Sequence, residues 1–200
     1  MLTKRFAGAF ALAEELHRAQ RRKGAEIPYI AHPMAVAGLV LEYGGDEDEA
    51  IAGLLHDAVE DQGGLATARR ISERFGPRVA QIVMGCTDAI DEPGKPKPAW
   101  RARKAAFVAK LARAPTSVGL VVACDKIHNL TCLIADVARE GPSTLARFAR
   151  PSELSWYYTA VSEALGGVAP SEPAGRLRGL ADVFKGQVAG LELPQGAADA

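Results

Sequence analysis

Paired glycines and prolines divide this chain into short segments, and they constrain its fold more than any other feature. The pairs fall at Gly44-Gly45, Gly63-Gly64, Gly76-Pro77 and Gly141-Pro142, where helices readily end. Between them alanine, leucine, glutamate and arginine dominate, and these residues favour helices. No segment alternates between apolar and polar residues for long, as a half-buried strand would. The pattern predicts an all-α protein, a single bundle of about ten helices.

The glycine and proline breaks, and the spacing of apolar residues between them, predict where each helix begins and ends. Helices are expected at about 3–22, 33–43, 47–60, 65–75, 78–87, 100–113, 117–139, 143–149, 152–165 and 174–191. Along one face of the first helix lie Phe6, Phe10, Ala13, Leu16, His17 and Gln20. Asp46 is the predicted N-cap of the third helix.

Three segments are predicted to lie outside helices. Residues 88–99 contain three prolines, a glycine and several charges, which predicts a mobile loop. Residues 166–175 are interpreted as a linker, and the small, polar residues from Pro194 onward as a fraying tail. We therefore expect a compact domain over 1–166, followed over 167–200 by the linker, a C-terminal helix and the flexible tail.

The composition excludes several classes of function. The 24 Lys and Arg residues balance 24 Asp and Glu residues, so a globally basic nucleic-acid binder is not expected. Cys86, Cys124 and Cys132 are odd in number and lack CxxC spacing, which argues against a disulfide framework or zinc finger. Cys124 and Cys132 stand in apolar surroundings and are predicted to be buried thiols.

Charged residues also interrupt every apolar run early. Glu14 and Glu15 follow the first apolar stretch too soon for a signal peptide, and no uncharged stretch approaches the length of a membrane span. We therefore expect a cytoplasmic protein with no membrane partner.

The first candidate for chemistry is the string LLHDAVED, residues 54–61. On a continuous helix, His56 and Glu60 would lie one turn apart, as would Asp57 and Asp61. Three carboxylates and an imidazole at the end of an apolar helix repel one another and are costly to bury, and a bound cation would remove that cost. Imidazole and carboxylate together suit Mn²⁺, Fe²⁺ or Zn²⁺. The alternative is a solvated helix end.

Two further strings favour the metal. PYIAHP places His32 just before a predicted helix, and VVACDKIHNL places Asp125 among apolar residues, where a carboxylate needs a partner. That partner is either a cation bound with His32 or, more simply, the adjacent Lys126. His17 is predicted to be a hydrogen-bonded core histidine, and His128 to pack near the site without ligating.

The strings HRAQRRKGAEIPYIAHPMAVA, LLHDAVED and DKIHNL, in this order and spacing, resemble the hydrolase domain of the RelA/SpoT proteins and the stand-alone small alarmone hydrolases. The order histidine, His-Asp pair and distant aspartate is the signature of the HD superfamily. The resemblance covers about residues 5–165, so it implies that 1–166 is an HD-type phosphohydrolase domain. It implies a Mn²⁺-dependent nucleotide 3′-pyrophosphohydrolase that acts on (p)ppGpp-like alarmones of the stringent response and releases pyrophosphate.

The resemblance also implies roles for individual residues. The metal ligands, one ion per chain, would be His32, His56, Asp57 and Asp125. Glu60 and Asp61 would orient and deprotonate the attacking water, and Arg22, Lys23 and Asn129 would contact the nucleotide. Gln62 departs from the pattern, since many relatives have a threonine there, and the region after residue 140 matches weakly.

Several alternatives stay open at this stage. The same metal chemistry could serve another nucleotide, such as an adenine alarmone or a 2′/3′-phosphate of the NADPH type, or the domain could be a nucleotide sensor without catalysis. Intact Glu60 and Asp61 argue against the sensor, and a cyclic-dinucleotide phosphodiesterase would need a GYP-type signature that the chain lacks. The base preference, the in vivo metal and the oligomeric state are open. So are the roles of Lys95, Lys97, Arg147, Arg150, Tyr157 and Tyr158.

Overall fold

A computed structural model describes residues 1–90 and 98–194, and these residues are helical, with a single isolated β-bridge. The helices are α1 (Lys4–His17), α2 (Ala31–Glu42), α3 (Glu47–Leu55), α4 (Ala58–Asp61), α5 (Gly64–Phe75), α6 (Pro77–Cys86), α7 (Trp100–Leu111), α8 (Thr116–Glu140), α9 (Leu154–Leu165) and α10 (Ser171–Val188). Two 3-10 turns, Pro142–Arg147 and Pro151–Glu153, connect α8 to α9. The all-α prediction and the number of helices are confirmed.

Helix α3 lies at the centre of the bundle. Every residue from Ala50 to Leu55 is buried, because the helix packs against α1, α2, α6 and α8. It begins with the capping box of Asp46 and Glu49, in which each side chain accepts a hydrogen bond from the other residue's backbone, so the predicted N-cap is confirmed.

One glycine sets the distance between α2 and α3. A Cβ added at Gly53 would lie 3.1 Å from the Cα of Ala37, so only a glycine permits this approach without a shift of backbone. The close contact brings the start of α2, which carries His32, near the end of α3, which precedes His56.

The first helix is shorter than predicted. It ends at His17, and the chain then folds back, with the Arg22 N–H donating to the Ile27 carbonyl at 2.9 Å and the Tyr29 N–H donating to the Gln20 carbonyl at 3.0 Å. Arg22 and Lys23 therefore lie in this loop and not at the end of the first helix. Its buried face differs as well, because Phe10 is exposed and Leu12 is buried.

The predicted helix over 47–60 is divided in two. It ends at Leu55, and α4 begins at Ala58, because α3 packs in the centre whereas α4 turns towards α5. At Asp57 the backbone angles are φ −92° and ψ −8°, outside regular helix. The prediction that His56, Asp57, Glu60 and Asp61 share one continuous helix is therefore wrong, although α4 still places the second pair beside the first.

Smaller differences lie towards the C-terminus. The predicted helix 143–149 is a 3-10 turn, and α10 begins at Ser171, inside the predicted linker, since Pro173 fits the first turn of a helix. Helix α10 packs against α8 and α9, while the domain boundary at residue 166 stays a prediction. Cys124 is buried as predicted, but Cys132 is only partly buried.

By length and composition alone, α8 is the one helix of the described residues that could cross a membrane. Of its most apolar window, 61% is buried inside the bundle.

Candidate metal centre and adjoining cavity

Four side chains from three parts of the chain converge at the centre of the bundle. The Nε2 atom of His32 lies 3.2 Å from Oδ1 of Asp125 and 3.6 Å from Oδ2 of Asp57. The Nε2 atom of His56 lies 3.0 Å from Oδ2 of Asp57 and 3.7 Å from Oδ1 of Asp125. Ligand atoms of His32, His56 and Asp57 all lie within 4.8 Å of one another, and Oδ1 of Asp125 approaches both histidines. Nitrogen and oxygen donors of the kind that transition metals prefer therefore face one another here. The structure therefore brings together all four residues that were predicted as ligands.

The tautomer of His56 fits a metal ligand. Its Nδ1–H donates to the carbonyl of Gly53 at 2.9 Å, so the other ring nitrogen, Nε2, is directed at the cluster. That Nε2 atom is buried and lies 3.0 Å from Asp57 and 3.7 Å from Asp125 without a well-formed hydrogen bond to either carboxylate. A positive charge at this point, either a proton on Nε2 or a metal ion that Nε2 binds, would balance the two carboxylates.

Both carboxylates are held from outside the cluster. Tyr29 donates its hydroxyl to Oδ2 of Asp57 at 2.5 Å. Lys126 pairs with Oδ2 of Asp125 at 2.6 Å, while Oδ1 faces the histidines and also accepts from the amide of Asn129. Lys126 is thus the partner of one oxygen, and the other oxygen remains directed at the cluster. Burial opposes the ionised state of Asp125, but Lys126 and the two histidines outweigh it and hold the pKa of this carboxyl well below its usual range.

The two histidines respond differently to their surroundings. Burial lowers the pKa of His32. Burial acts in the same direction on His56, but Asp57 and Asp125 outweigh it and raise the pKa of His56 well above its ordinary value. The surroundings of His56 therefore favour a positive charge beside both carboxylates.

Glu60, on α4, is partly buried, and both carboxylates and cations surround it. Burial, and then the carboxylate of Asp88, raise the pKa of Glu60 to about 7. Arg103 lies 3.9 Å from its carboxylate and pairs with Asp88 at 2.9 Å, and Lys104 pairs with Asp88 as well. A carboxyl group with a pKa near neutrality is suited to take up and release a proton. Arg70 pairs with Glu15, so among the described residues the arginine that approaches Glu60 is Arg103.

Asp61 belongs to a separate hydrogen-bond network. It accepts from the side-chain amide of Gln20 at 2.9 Å, and the amide oxygen of Gln20 lies 2.7 Å from Nδ1 of His17. His17 is 1% exposed, which confirms it as a hydrogen-bonded core histidine. Burial, followed by the charge of Asp57, raises the pKa of Asp61.

A cavity of about 700 Å³ adjoins the cluster. Tyr29 and Asn129, which hold the carboxylates of Asp57 and Asp125, form part of its wall, as does Asp61. The other polar and aromatic lining residues include Arg21, Arg22, Lys23, Asp136, Arg139, Arg147, Phe148 and Tyr158. A second cavity, of about 790 Å³ between α6, α7 and the start of α8, contains none of the predicted site residues.

The cations of this first cavity fall into two groups. Arg139 and Arg147 are paired with Asp136. Arg21, Arg22 and Lys23 form no ion pair with a carboxylate of the described residues, although Arg22 donates to the amide oxygen of Asn129 at 3.0 Å. Within the described part of the chain, the cavity therefore combines cations that have no carboxylate partner with a hydrogen-bonded connection from Arg22 through Asn129 to Asp125.

The remaining predicted residues have varied positions. Tyr157 and Tyr158 are buried, and only Tyr158 lines the cavity. Arg150 does not line it. Lys95 and Lys97 lie outside the described residues.

Several residues of the site were not predicted from the sequence. Tyr29 lies inside the PYIAHP string, three residues before His32, and a tyrosine in that position was the available signal. Asp88, Arg103 and Lys104 gave no signal, because helix-surface charges have the same appearance in a sequence. Gln20 was predicted only as part of a helix face.

Comparison with known proteins shows which family the chain belongs to. The sequence profile of the HD domain matches residues 9–154. A probable guanosine-3′,5′-bis(diphosphate) 3′-pyrophosphohydrolase of Synechocystis is 51% identical over 79 residues, which are 40% of this chain and 10% of that protein. A GTP pyrophosphokinase of Myxococcus xanthus is 32% identical over 165 residues, which are 78% of this chain and 21% of that protein.

Solved structures are similar over most of the chain. A metazoan ortholog of SpoT, reported to hydrolyse ppGpp and to play a role in starvation responses, superposes with a TM-score of 0.73 and 25% identity, covering 96% of this chain and 99% of the other. The chain therefore belongs to the HD-domain family, and family and cluster together indicate a divalent-metal site. The chain spans only 10% and 21% of the two curated relatives named above.

Proposed function

We propose that this protein is a Mn²⁺-dependent nucleotide 3′-pyrophosphohydrolase that acts on (p)ppGpp-like alarmones and releases pyrophosphate. We propose further that it works in the cytoplasm, with a small-molecule nucleotide as its partner and neither nucleic acid nor a membrane. The observation that carries the proposal is the convergence of two imidazoles and two carboxylates beside a cation-lined cavity. The activities reported for similar proteins support it.

His32, His56, Asp57 and Asp125 are the proposed ligands. When bound, a divalent cation acidifies water and neutralises charge on phosphoryl oxygens. The mixed nitrogen and oxygen set suits Mn²⁺, and the amide of Asn129 and the hydroxyl of Tyr29 keep the two carboxylates in place.

Glu60 is the proposed general base. Its burial raises the pKa to about 7, so near neutral pH it can accept a proton from the attacking water and then return it to solvent. Asp61, held by Gln20 on the cavity side, is proposed to orient the same water. A sensor without catalysis would have no use for such a pair.

The cavity is proposed to hold the nucleotide. Arg22 and Lys23 would bind its phosphates, because they line the cavity and form no ion pair with a carboxylate among residues 1–90 and 98–194. Asn129 donates its amide to Asp125 and accepts from Arg22, so it joins the nucleotide cavity to the ligand cluster. No observation within the cavity favours adenine or an NADPH-type phosphate over guanine.

A nucleotide panel tests the proposal. Protein loaded with Mn²⁺ is incubated separately with ppGpp, pppGpp, the adenine analogue, NADPH and GTP, and the products are separated by ion-exchange chromatography. We expect pyrophosphate and GDP from ppGpp, and no reaction after chelation. Release of orthophosphate from NADPH, with ppGpp left intact, would show that the substrate is an NADPH-type phosphate and not an alarmone. Nucleotide binding without turnover would identify a sensor.

A further inference from the structure

His128 lies behind one of the proposed ligands. Its Nδ1 atom is 2.8 Å from Nδ1 of His32, and the two rings lie with their centroids 4.9 Å apart. The ring of His128 therefore contacts His32 on the side opposite the cluster.

A hydrogen bond between two Nδ1 atoms needs one donor and one acceptor, so the facing nitrogens share one proton. If His32 carries that proton, its Nε2 keeps a free lone pair directed at the cluster. If His128 carries it, the Nε2 of a neutral His32 is protonated and donates to Asp125, 3.2 Å away, and no cation can bind through it. The tautomer of His128 thus decides whether His32 is able to ligate.

The other end of His128 is compatible with the ligating arrangement, since a thiol sulfur can accept a hydrogen bond as well as donate one. Its Nε2 atom lies 3.7 Å from Sγ of Cys132, one turn later on α8. With the proton of His128 on Nε2 and directed at this sulfur, its Nδ1 is an acceptor for His32. His56 also has its Nδ1–H engaged, but with the backbone carbonyl of Gly53, so different partners orient His32 and His56.

We propose that His128 is a positioning residue for the metal: it accepts the Nδ1–H of His32 and thereby holds His32 in its ligating tautomer, with Cys132 fixing the opposite proton. The inference rests on the metal site of the proposed function. Groups that orient metal-ligating histidines in this way typically contribute 10- to 100-fold to metal affinity.

Metal affinity separates this role from packing. Affinity for Mn²⁺ is measured by competition with a fluorescent chelator for the wild-type protein, His128→Leu and His128→Asn. Leucine fills the space without an acceptor, whereas the amide oxygen of asparagine can replace Nδ1 as the acceptor. We expect a loss of about 10- to 100-fold for His128→Leu and recovery to within about threefold of wild type for His128→Asn.

Equal affinity in wild type and His128→Leu, or equal losses in both variants, would overturn the inference. A wild-type protein that binds no Mn²⁺ would instead refute the metal site of the proposed function. Cys132→Ala is a graded control, with a smaller loss expected because His128 is partly exposed and water can accept from Nε2.

A spectroscopic measurement does not depend on the variants folding. The chain has four histidines, so a long-range ¹H–¹⁵N spectrum of ¹⁵N-histidine-labelled protein with Zn²⁺ bound resolves each ring. The inference requires a protonated Nδ1 on His32 and an unprotonated Nδ1 on His128. The reverse assignment would refute it.

Discussion

Replacement of Glu60 by glutamine tests the proposed general base through two opposite effects. The amide keeps the shape of the side chain but cannot accept a proton, so kcat should fall by about 10²-fold or more, the usual contribution of a general base. Because Glu60 is not one of the four proposed ligands, the metal content should stay at one ion per chain.

Stability should change in the other direction. The pKa of Glu60 is about 7 in the folded protein against an ordinary value of 4.5. A raised carboxyl pKa stabilises the fold while the group is protonated, and this stabilisation is lost as the pH rises through about 7. At about 1.4 kcal/mol per unit of pKa, the loss in the wild type is roughly 3 kcal/mol. This is an upper bound, because 28% of the side chain is exposed.

The assay follows both quantities on the same samples. Turnover is measured with Mn²⁺, and urea unfolding is measured with chelator at pH 5 and pH 8.5. The wild type should lose up to about 3 kcal/mol of unfolding free energy between pH 5 and pH 8.5, whereas Glu60→Gln should not show this loss. Glu15→Gln, which removes a surface ion pair with Arg70, is the matched control and should change neither quantity by much. Near-normal turnover together with earlier unfolding at pH 8.5 would show that Glu60 serves only to pair with Arg103.

Further predictions concern the ligands, the cavity and the packing that joins them. His56→Ala should remove the metal, as elemental analysis would show; full occupancy would exclude His56 from the ligand set. Changing Arg22 and Lys23 together to alanine should raise KM more than it lowers kcat, and unchanged kinetics would mean that the loop does not bind substrate. Gly53→Ala should lower the free energy of unfolding by about 1 to 3 kcal/mol and weaken metal binding, because the added Cβ would press on the backbone of Ala37. Calorimetry and metal titration measure both effects, and unchanged values would show that α2 and α3 tolerate a methyl group between them.

The sequence predicted those parts of the fold that depend on local chemistry. Asp46 caps α3 because a short acidic side chain before an apolar run is a local signal, and the Gly76-Pro77 break is equally local. The end of α1 at His17 was missed because it depends on backbone pairing in the following loop and on the contact of His17 with Gln20. The division at Asp57 was missed because α3 and α4 pack against different neighbours.

In the candidate site, too, some residues could be predicted from the sequence and others could not. Asp125 was identifiable because it interrupts an apolar run, where an unpaired carboxylate is costly, whereas the role of His32 as a ligand followed from the family resemblance. The surroundings of Glu60 could not be predicted, because Asp88 and Arg103 are far from it in the chain and approach it only through tertiary packing. The 2.8 Å contact of His32 with His128 likewise depends on how α2 lies against α8, so the sequence predicted His128 only as a packing residue.

The most direct test of the metal centre is an anomalous-difference map from a crystal soaked in Mn²⁺, recorded near the manganese absorption edge. We predict one strong peak per chain, enclosed by the side chains of His32, His56, Asp57 and Asp125. A map with no peak there, or a peak bound by other residues, would contradict the proposed metal centre and the hydrolytic function that depends on it.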